Sequence, residues 1–147
     1  MPSVRSAALS RAGRVVARVC ARRREIQAAY IFGSVAQGRT RPDSDIDIAV
    51  LLTRPLTGDR ALRYRLDLTV ALGAALHRDD VQLVMLNEAP SLLAHRVLSR
   101  GVLVFERSRA ARTRFQVETA RRHADMVPAI ERYIEHLKKQ TREMAGG

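Results

Sequence analysis

Two aspartates separated by one residue, Asp45 and Asp47, stand at the beginning of a segment in which apolar residues alternate. On a β-strand, residues i and i+2 project from the same face, so the two carboxylates are expected side by side. Adjacent carboxylates repel each other unless a cation lies between them, and Mg²⁺ prefers carboxylate and phosphate oxygens. The spacing therefore predicts a site for a divalent cation.

A phosphate-binding turn is predicted at Gly33 and Ser34, which ten residues separate from Asp45. The apolar segment 28–32 ends at this turn, a pattern typical of a buried strand. Glycine lets the backbone approach a ligand closely, and N–H groups at the start of a helical turn bind anions. A lone glycine-serine pair or Asp-x-Asp pair is usually structural, but together, between hydrophobic strands, they predict a metal–triphosphate site.

The elements that must position these residues follow from hydrophobic periodicity. Helical spacing predicts four helices, over residues 5–25, 58–77, 90–101 and 108–143. Short apolar or alternating segments predict four strands, over residues 28–32, 46–52, 81–86 and 102–105. Pro128 is expected to break or bend the last helix. The order predicts a single α/β (α+β) domain, a mixed sheet of about four strands packed on helices, with a C-terminal helical tail.

Apolar residues at helical spacing predict which helix faces are buried. On the helix over 58–77, the predicted apolar face comprises Leu62, Leu66, Val70, Leu72 and Leu76. On the tail it comprises Phe115, Ala120, Ile130, Tyr133, Ile134 and Leu137. This spacing favours a core or interface role for Tyr133 over a modification target. His95 is interpreted as a partly exposed helix residue, and Cys20 as a small core residue.

The positive charge of the chain is concentrated at its two ends. The net charge is +11, and residues 1–42 contain nine arginines against one glutamate, whereas residues 43–106 carry a net −2. A basic surface attracts nucleic acid, polyphosphate or an acidic protein, so a nucleic-acid partner is not excluded. With one cysteine and no long apolar segment, neither an internal disulfide nor a membrane span is predicted, and the cytoplasm is the default location.

The sequence from Gly33 to Asp47 resembles a known family signature. Gly33-Ser34 followed by Asp45-x-Asp47 is similar to the signature of the DNA polymerase β-like nucleotidyltransferase superfamily. With Ala36, Gly38 and Ser44 included, the motif resembles the minimal nucleotidyltransferases, the MNT antitoxins encoded beside HEPN ribonuclease toxins. The resemblance implies a nucleotidyltransferase domain over residues 1–106, with helices on one side of a mixed sheet. Residues 107–147 would then be a helical extension that docks the partner.

The resemblance also implies a reaction. An MNT antitoxin transfers AMP from ATP to a tyrosine of its HEPN toxin, by a two-metal mechanism with Mg²⁺, and thereby neutralises the toxin. Gly33, Ser34 and Ser44 would bind the nucleotide, and Asp45 and Asp47 would ligate Mg²⁺ and act as catalytic residues. Either of two arginines in the intervening loop, Arg39 or Arg41, is a further candidate for phosphate contact.

One position departs from the family pattern. The superfamily usually carries a third carboxylate on the next strand, and Gln82 stands where it is expected. An amide neither holds a second cation by charge nor takes a proton near neutral pH. Asp80, two residues earlier on the same face, is a distant substitute. Two readings therefore stay open: an active adenylyltransferase antitoxin, or a catalytically weakened protein that neutralises its partner by binding. A transferase acting on small molecules or RNA ends is disfavoured, because the tail leaves little room for a substrate domain.

Overall fold

The computed structural model describes residues 4–38 and 45–146, with side chains from residue 7 onward. The predicted loop at 39–44, with Arg39, Arg41 and Ser44, lies outside the described residues. The described helices are α1 (Val4–Ala21), α2 (Gly33–Ala36), α3 (Gly58–Leu76), α4 (Ser91–Arg100) and α5 (Arg109–Ala145). The described strands are β1 (Ile26–Phe32), β2 (Ile46–Leu52), β3 (Val81–Met85) and β4 (Val102–Glu106).

The strands form one mixed sheet in the order β3-β2-β1-β4. β1 pairs antiparallel with both β2 and β4, whereas β2 and β3 are parallel and are connected through α3. The α/β class, the four-stranded mixed sheet and the helical C-terminal region predicted from the sequence are thus confirmed. β2 is a central strand and is almost fully buried, so helices cover both faces onto which its alternating side chains project.

Helices cover both faces of the sheet, so the expectation of helices on one side only is wrong. One face packs on α1 and α3 through a cluster that includes Val16, Ile31, Ile48, Leu68 and Leu72. The other face packs on α4 and α5 through a second cluster that includes Tyr30, Ala49, Leu51, Leu86 and Val97. Buried side chains alternate between these two clusters along β1 and β2, as the pleat of a strand requires.

The predicted apolar face of α3 is wrong in part. Leu62, Leu66 and Val70 are exposed, with 47%, 56% and 70% of their surface accessible. The residues that pack on the sheet are Ala61, Leu68 and Leu72. Both sets have helical spacing, and the smaller Ala61 fits a position close to the sheet that the spacing alone does not distinguish.

Helix α5 continues through Pro128, so of the predicted break or bend the break is wrong. Pro128 is exposed, so its ring meets solvent, and the helix loses one backbone hydrogen bond there. The first half of α5 packs on the domain through Phe115 and the buried Thr119. Every residue from 131 to 146 is exposed, so Tyr133, Ile134 and Leu137 are not core residues. Within the described part of the chain, no helix is long and apolar enough to cross a membrane.

The side chain of Arg107 joins the end of β4 to the C-terminus of α1. Its Nη2 donates to the carbonyl oxygens of Cys20 (3.2 Å), Ala21 (2.9 Å) and Arg23 (3.4 Å), and its Nε donates to Ile26 (3.0 Å). The last carbonyls of a helix have no partner within the helix, and a cation there also favours the helix dipole. Burial beneath this contact raises the pKa of the Cys20 thiol to about 12, so the thiol is un-ionised, as a core residue requires.

Candidate active site

The turn predicted to bind phosphate lies where β1 ends and α2 begins. Gly33 has φ +73°, a left-handed conformation that side chains other than glycine adopt at a cost. A Cβ built on Gly33 would overlap the carboxylate of Asp47, with Cγ of Asp47 at 3.1 Å. Glycine is therefore required twice, once by the backbone conformation and once by the close approach of the aspartate. Ser34 follows in the single turn of α2 and is half-buried.

The two aspartates lie where the sequence predicts them, directly before β2 and inside it. Asp45 is exposed, whereas Asp47 is half-buried between its register partners Phe32 on β1 and Gln82 on β3. Because the strand alternates faces, Asp45 and Asp47 share the face that packs on α4 and α5. The sheet thus brings Gly33, Asp47 and Gln82 together at the end of β1. These three residues define the position of the candidate active site.

Among residues 4–38 and 45–146, no positively charged side chain forms an ion pair with Asp45 or Asp47. Burial raises the pKa of Asp47 above its usual range, and the negative charge of Asp45 raises it further. Among the described residues, no hydrogen bond or ion pair engages either carboxylate. Two neighbouring carboxylates with which no described side chain pairs fit a bound divalent cation, which supplies positive charge.

The next strand brings two further polar side chains to the same face. Gln82 is the register partner of Asp47, and the pairing of Ile46 with Val81 places Asp80 beside Asp45. Asp80 is already engaged, because Nε and Nη2 of Arg78 donate to its two oxygens at 2.7 and 2.6 Å. Within residues 4–38 and 45–146, no group of three His, Cys, Asp or Glu side chains is arranged to hold a metal ion.

Other residues that the sequence singled out lie elsewhere in the fold. His95 on α4 stacks on His123 of α5, with ring centroids 3.6 Å apart, and thus has a packing role. Tyr133 lies on the exposed end of α5. Arg78, by contrast, lies near the site and was missed, because an arginine two residues from an aspartate has no distinctive sequence pattern.

Comparison with known proteins places this geometry in a family. Over 77 residues the chain is 40% identical to the protein adenylyltransferase MntA of Shewanella oneidensis, an alignment that covers 52% of each protein. The chain thus spans about half the length of the curated relative it matches.

Solved structures resemble the chain over most of its length. A toxin–antitoxin crystal structure with AMP-PNP is similar with 28% identity and a TM-score of 0.71, over 85% of this chain and 97% of that one. A tri-AMPylated Shewanella oneidensis HEPN toxin in complex with MNT antitoxin is similar with 25% identity and a TM-score of 0.66, over 86% of this chain and 95% of that one. Residues 15–110 match the family described as polymerase beta, nucleotidyltransferase, with the Gly33 turn and both aspartates inside the match. The chain therefore belongs to the polymerase beta nucleotidyltransferase family, as its signature predicted.

Proposed function

We propose that this protein transfers AMP from ATP to a tyrosine of a partner HEPN toxin and thereby neutralises the toxin. The observation that carries the proposal is the contact between the Gly33 turn and the uncompensated carboxylate of Asp47. This contact joins a candidate phosphate site to a candidate metal site. The likeness to a protein adenylyltransferase, and to a complex whose toxin is AMPylated, supports AMP as the transferred group and a toxin as the acceptor.

The proposed roles of the residues follow from their positions. Gly33 and Ser34 hold the β- and γ-phosphates, with Ser44 contributing from the loop. Asp45 and Asp47 would hold Mg²⁺, which when bound would supply positive charge to the triphosphate. The tyrosine oxygen attacks the α-phosphorus, the bond to the bridging oxygen breaks, pyrophosphate leaves, and the tyrosine proton passes to solvent. Asp45 and Asp47 orient the triphosphate for this in-line attack.

The exposed end of α5 is the proposed docking element for the toxin. Beyond Pro128 the helix leaves the domain, and its apolar residues follow one another at spacings of four, three and seven: Ile130, Ile134, Leu137 and Met144. Ile134, Leu137 and Met144 are 44%, 43% and 84% exposed. A seam with this period packs against a helix of another protein by insertion of its side chains between those of the partner. The proposed nucleotidyltransferase domain is thus residues 1–106, and the extension beyond it provides the docking.

A second candidate function has its own supporting observation. Gln82, the register partner of Asp47, supplies an amide where a third carboxylate would activate the acceptor. If turnover is lost for this reason, the protein neutralises its toxin by forming the complex alone. The two candidates differ in one measurable product, an AMP covalently attached to the partner.

The deciding experiment measures the intact mass of the HEPN partner after incubation with this protein, ATP and Mg²⁺. Adenylyl transfer predicts a mass increase of one or more AMP units and release of an equal amount of pyrophosphate. The control is the double variant Asp45→Asn/Asp47→Asn, which keeps the side-chain shapes but removes both charges. An unchanged partner mass, together with a stable complex on gel filtration, would reject transfer and establish neutralisation by binding. ATP replaced by GTP, CTP or UTP in parallel reactions identifies the nucleotide.

A further inference from the structure

Four polar side chains occupy one patch on the face of β2 and β3 that carries the site. The parallel register places Gln82 beside Asp47 and Asp80 beside Asp45, so these four residues form two neighbouring pairs. The backbone N–H of Ile46 donates to the carbonyl oxygen of Asp80 at 3.3 Å, which fixes the beginning of β3 against the beginning of β2. Three of the four side chains are carboxylates.

One of the three carboxylates is neutralised by Arg78. Both oxygens of Asp80 accept hydrogen bonds from the guanidinium, at 2.7 and 2.6 Å, in the two-point geometry that makes arginine–carboxylate pairs strong. The two side chains are only 32% and 24% exposed, so the pair is partly shielded from water. Asp80 therefore has little capacity left to bind a metal ion.

The position of Arg78 is fixed by the way α3 ends. His77 adopts a left-handed conformation with φ 56°, and the backbone N–H of Arg78 donates to Gly73 at 2.9 Å. A Cβ on Gly73 would lie 2.7 Å from the carbonyl oxygen of Arg78, so this helix end requires glycine. Hydrogen bonding to Asp80 raises the pKa of Arg78, and the charges of Asp80, Asp45 and Asp79 raise it further against the opposing effect of burial.

Before a nucleotide binds, the described side chains of the patch and Arg78 carry a formal charge of −2, which one divalent cation balances. Asp45 and Asp47 contribute two negative charges, the Arg78–Asp80 pair contributes none, and Gln82 is neutral. We infer that this site takes one divalent cation, between Asp45 and Asp47, and that Arg78 supplies the positive charge which a second cation would otherwise bring. The inference rests on the proposed function, and it departs from the two-metal expectation because Gln82 and the engaged Asp80 do not fit a second ion.

The experiment counts Mn²⁺ ions bound by the full-length protein in the presence of α,β-methylene-ATP, an analogue whose bridging carbon prevents AMP transfer. Electron paramagnetic resonance of free Mn²⁺ gives the stoichiometry, and a parallel titration of the analogue verifies that nucleotide is bound. We expect one Mn²⁺ per bound nucleotide. Two ions per nucleotide would overturn the inference and leave the proposed function intact. If the protein bound neither Mn²⁺ nor the analogue, both the inference and the proposed function would be overturned.

Three variants test how the charge of each residue in the patch affects Mn²⁺ binding. Gln82→Asp restores a third carboxylate and is expected to raise the stoichiometry from one ion to two. Asp80→Asn is expected to leave the Mn²⁺ affinity within about two-fold, since Asp80 is paired with Arg78, and a loss of roughly ten-fold would show that Asp80 is a ligand. Arg78→Gln removes one positive charge and is expected to tighten Mn²⁺ binding by roughly three- to ten-fold. An unchanged or weaker affinity in Arg78→Gln would show that Arg78 does not act on the cation, and thermal unfolding verifies that each variant folds.

Discussion

Replacing Gly33 with alanine tests whether the turn and Asp47 form one site. The structure provides a matched control in Gly58, which begins α3 as Gly33 begins α2 and also has a positive φ, +59° against +73°. The two glycines differ in their surroundings. A Cβ at Gly58 meets nothing within 4 Å, whereas a Cβ at Gly33 overlaps the Asp47 carboxylate.

The expected magnitudes separate the two effects. Either substitution places a Cβ in the left-handed region, which costs about 1–2 kcal/mol of folding stability. In Gly33→Ala the carboxylate of Asp47 must also move by roughly 1 Å to restore an ordinary contact, since Cγ lies 3.1 Å from the new Cβ. A displacement of that size in a catalytic group lowers the rate by roughly 100-fold. Gly58→Ala is therefore expected to lose stability alone, and Gly33→Ala to lose stability and AMP transfer.

Urea unfolding and the initial rate of pyrophosphate release measure the two quantities on the same preparations. The reasoning predicts similar free energies of unfolding for the two variants and transfer rates that differ by about two orders of magnitude. If Gly33→Ala transfers AMP as fast as Gly58→Ala, the contact between the turn and Asp47 has no part in catalysis. If Gly58→Ala is as stable as the wild type while Gly33→Ala is not, the left-handed backbone conformation is not the cause of the lost stability.

Three further predictions concern charge, helix anchoring and docking. Because burial raises the pKa of Asp47, the folded state loses stability as the pH rises from the pKa of the unfolded state to that of the folded state. Asp47→Asn should therefore raise the melting temperature at pH 7 without metal by roughly 1–3 °C, a value discounted for the partial exposure of Asp47. The gain in melting temperature should vanish below about pH 4, where the carboxyl is protonated in both states. Arg107→Ala removes a side-chain donor to the carbonyl oxygens of Cys20 and Ala21 at the end of α1 and should cost about 1–3 kcal/mol, measured by urea unfolding and by faster reaction of Cys20 with a thiol reagent. Ile134→Glu/Leu137→Glu should leave the melting temperature unchanged and reduce toxin affinity by at least about ten-fold, measured by calorimetry.

Each of these predictions has a control and a contrary result. Asp45→Asn removes the same charge from an exposed position, so an equal melting-temperature gain there would contradict burial as the main cause. Arg109→Ala, two residues from Arg107, removes an exposed arginine and should change neither stability nor thiol reactivity. Arg132→Glu/Lys139→Glu alters the other side of α5, and an equal loss of toxin affinity there would argue for attraction by charge over packing of the apolar seam.

Local pattern predicted the elements well because the sheet is made of short apolar or alternating segments that are separated by helices and turns. The alternation that defines β2 also fixes which residues share a face, so the side-by-side placement of Asp45 and Asp47 followed from the spacing. The sequence did not show which of the two apolar faces of α3 is buried, because that depends on which face packs on the sheet. Hydrophobicity favours Leu62 over Ala61, yet the structure buries Ala61 because a small residue suits the close approach of helix and sheet.

Contacts between distant parts of the chain limited what the sequence revealed. The carbonyls that Arg107 binds lie 81 to 87 residues earlier, so no window of sequence contains both partners. Arg78 and Asp80 are close in sequence, but their pairing matters because the register of β3 places them beside Asp45. In both cases the residue types were visible and the spatial neighbour was not. The net charge of the whole chain likewise indicated a basic surface at the two ends of the sequence. The charges that act on the candidate site belong instead to residues that lie close to it.

The balance of charge around Asp47 connects the stability of the protein to its proposed activity. An ionised, half-buried carboxylate next to another one opposes folding at neutral pH, and no side chain described here removes that cost by pairing with it. The chain could relieve it by pairing Asp45 or Asp47 with arginine, as it does for Asp80. The described residue Arg78 pairs with Asp80 instead, the carboxylate that the proposed reaction does not use, and no described side chain pairs with the other two. A bound cation should therefore stabilise the folded state, and this stabilisation should disappear in Asp47→Asn, because the charge that attracts the cation is the charge that opposes folding.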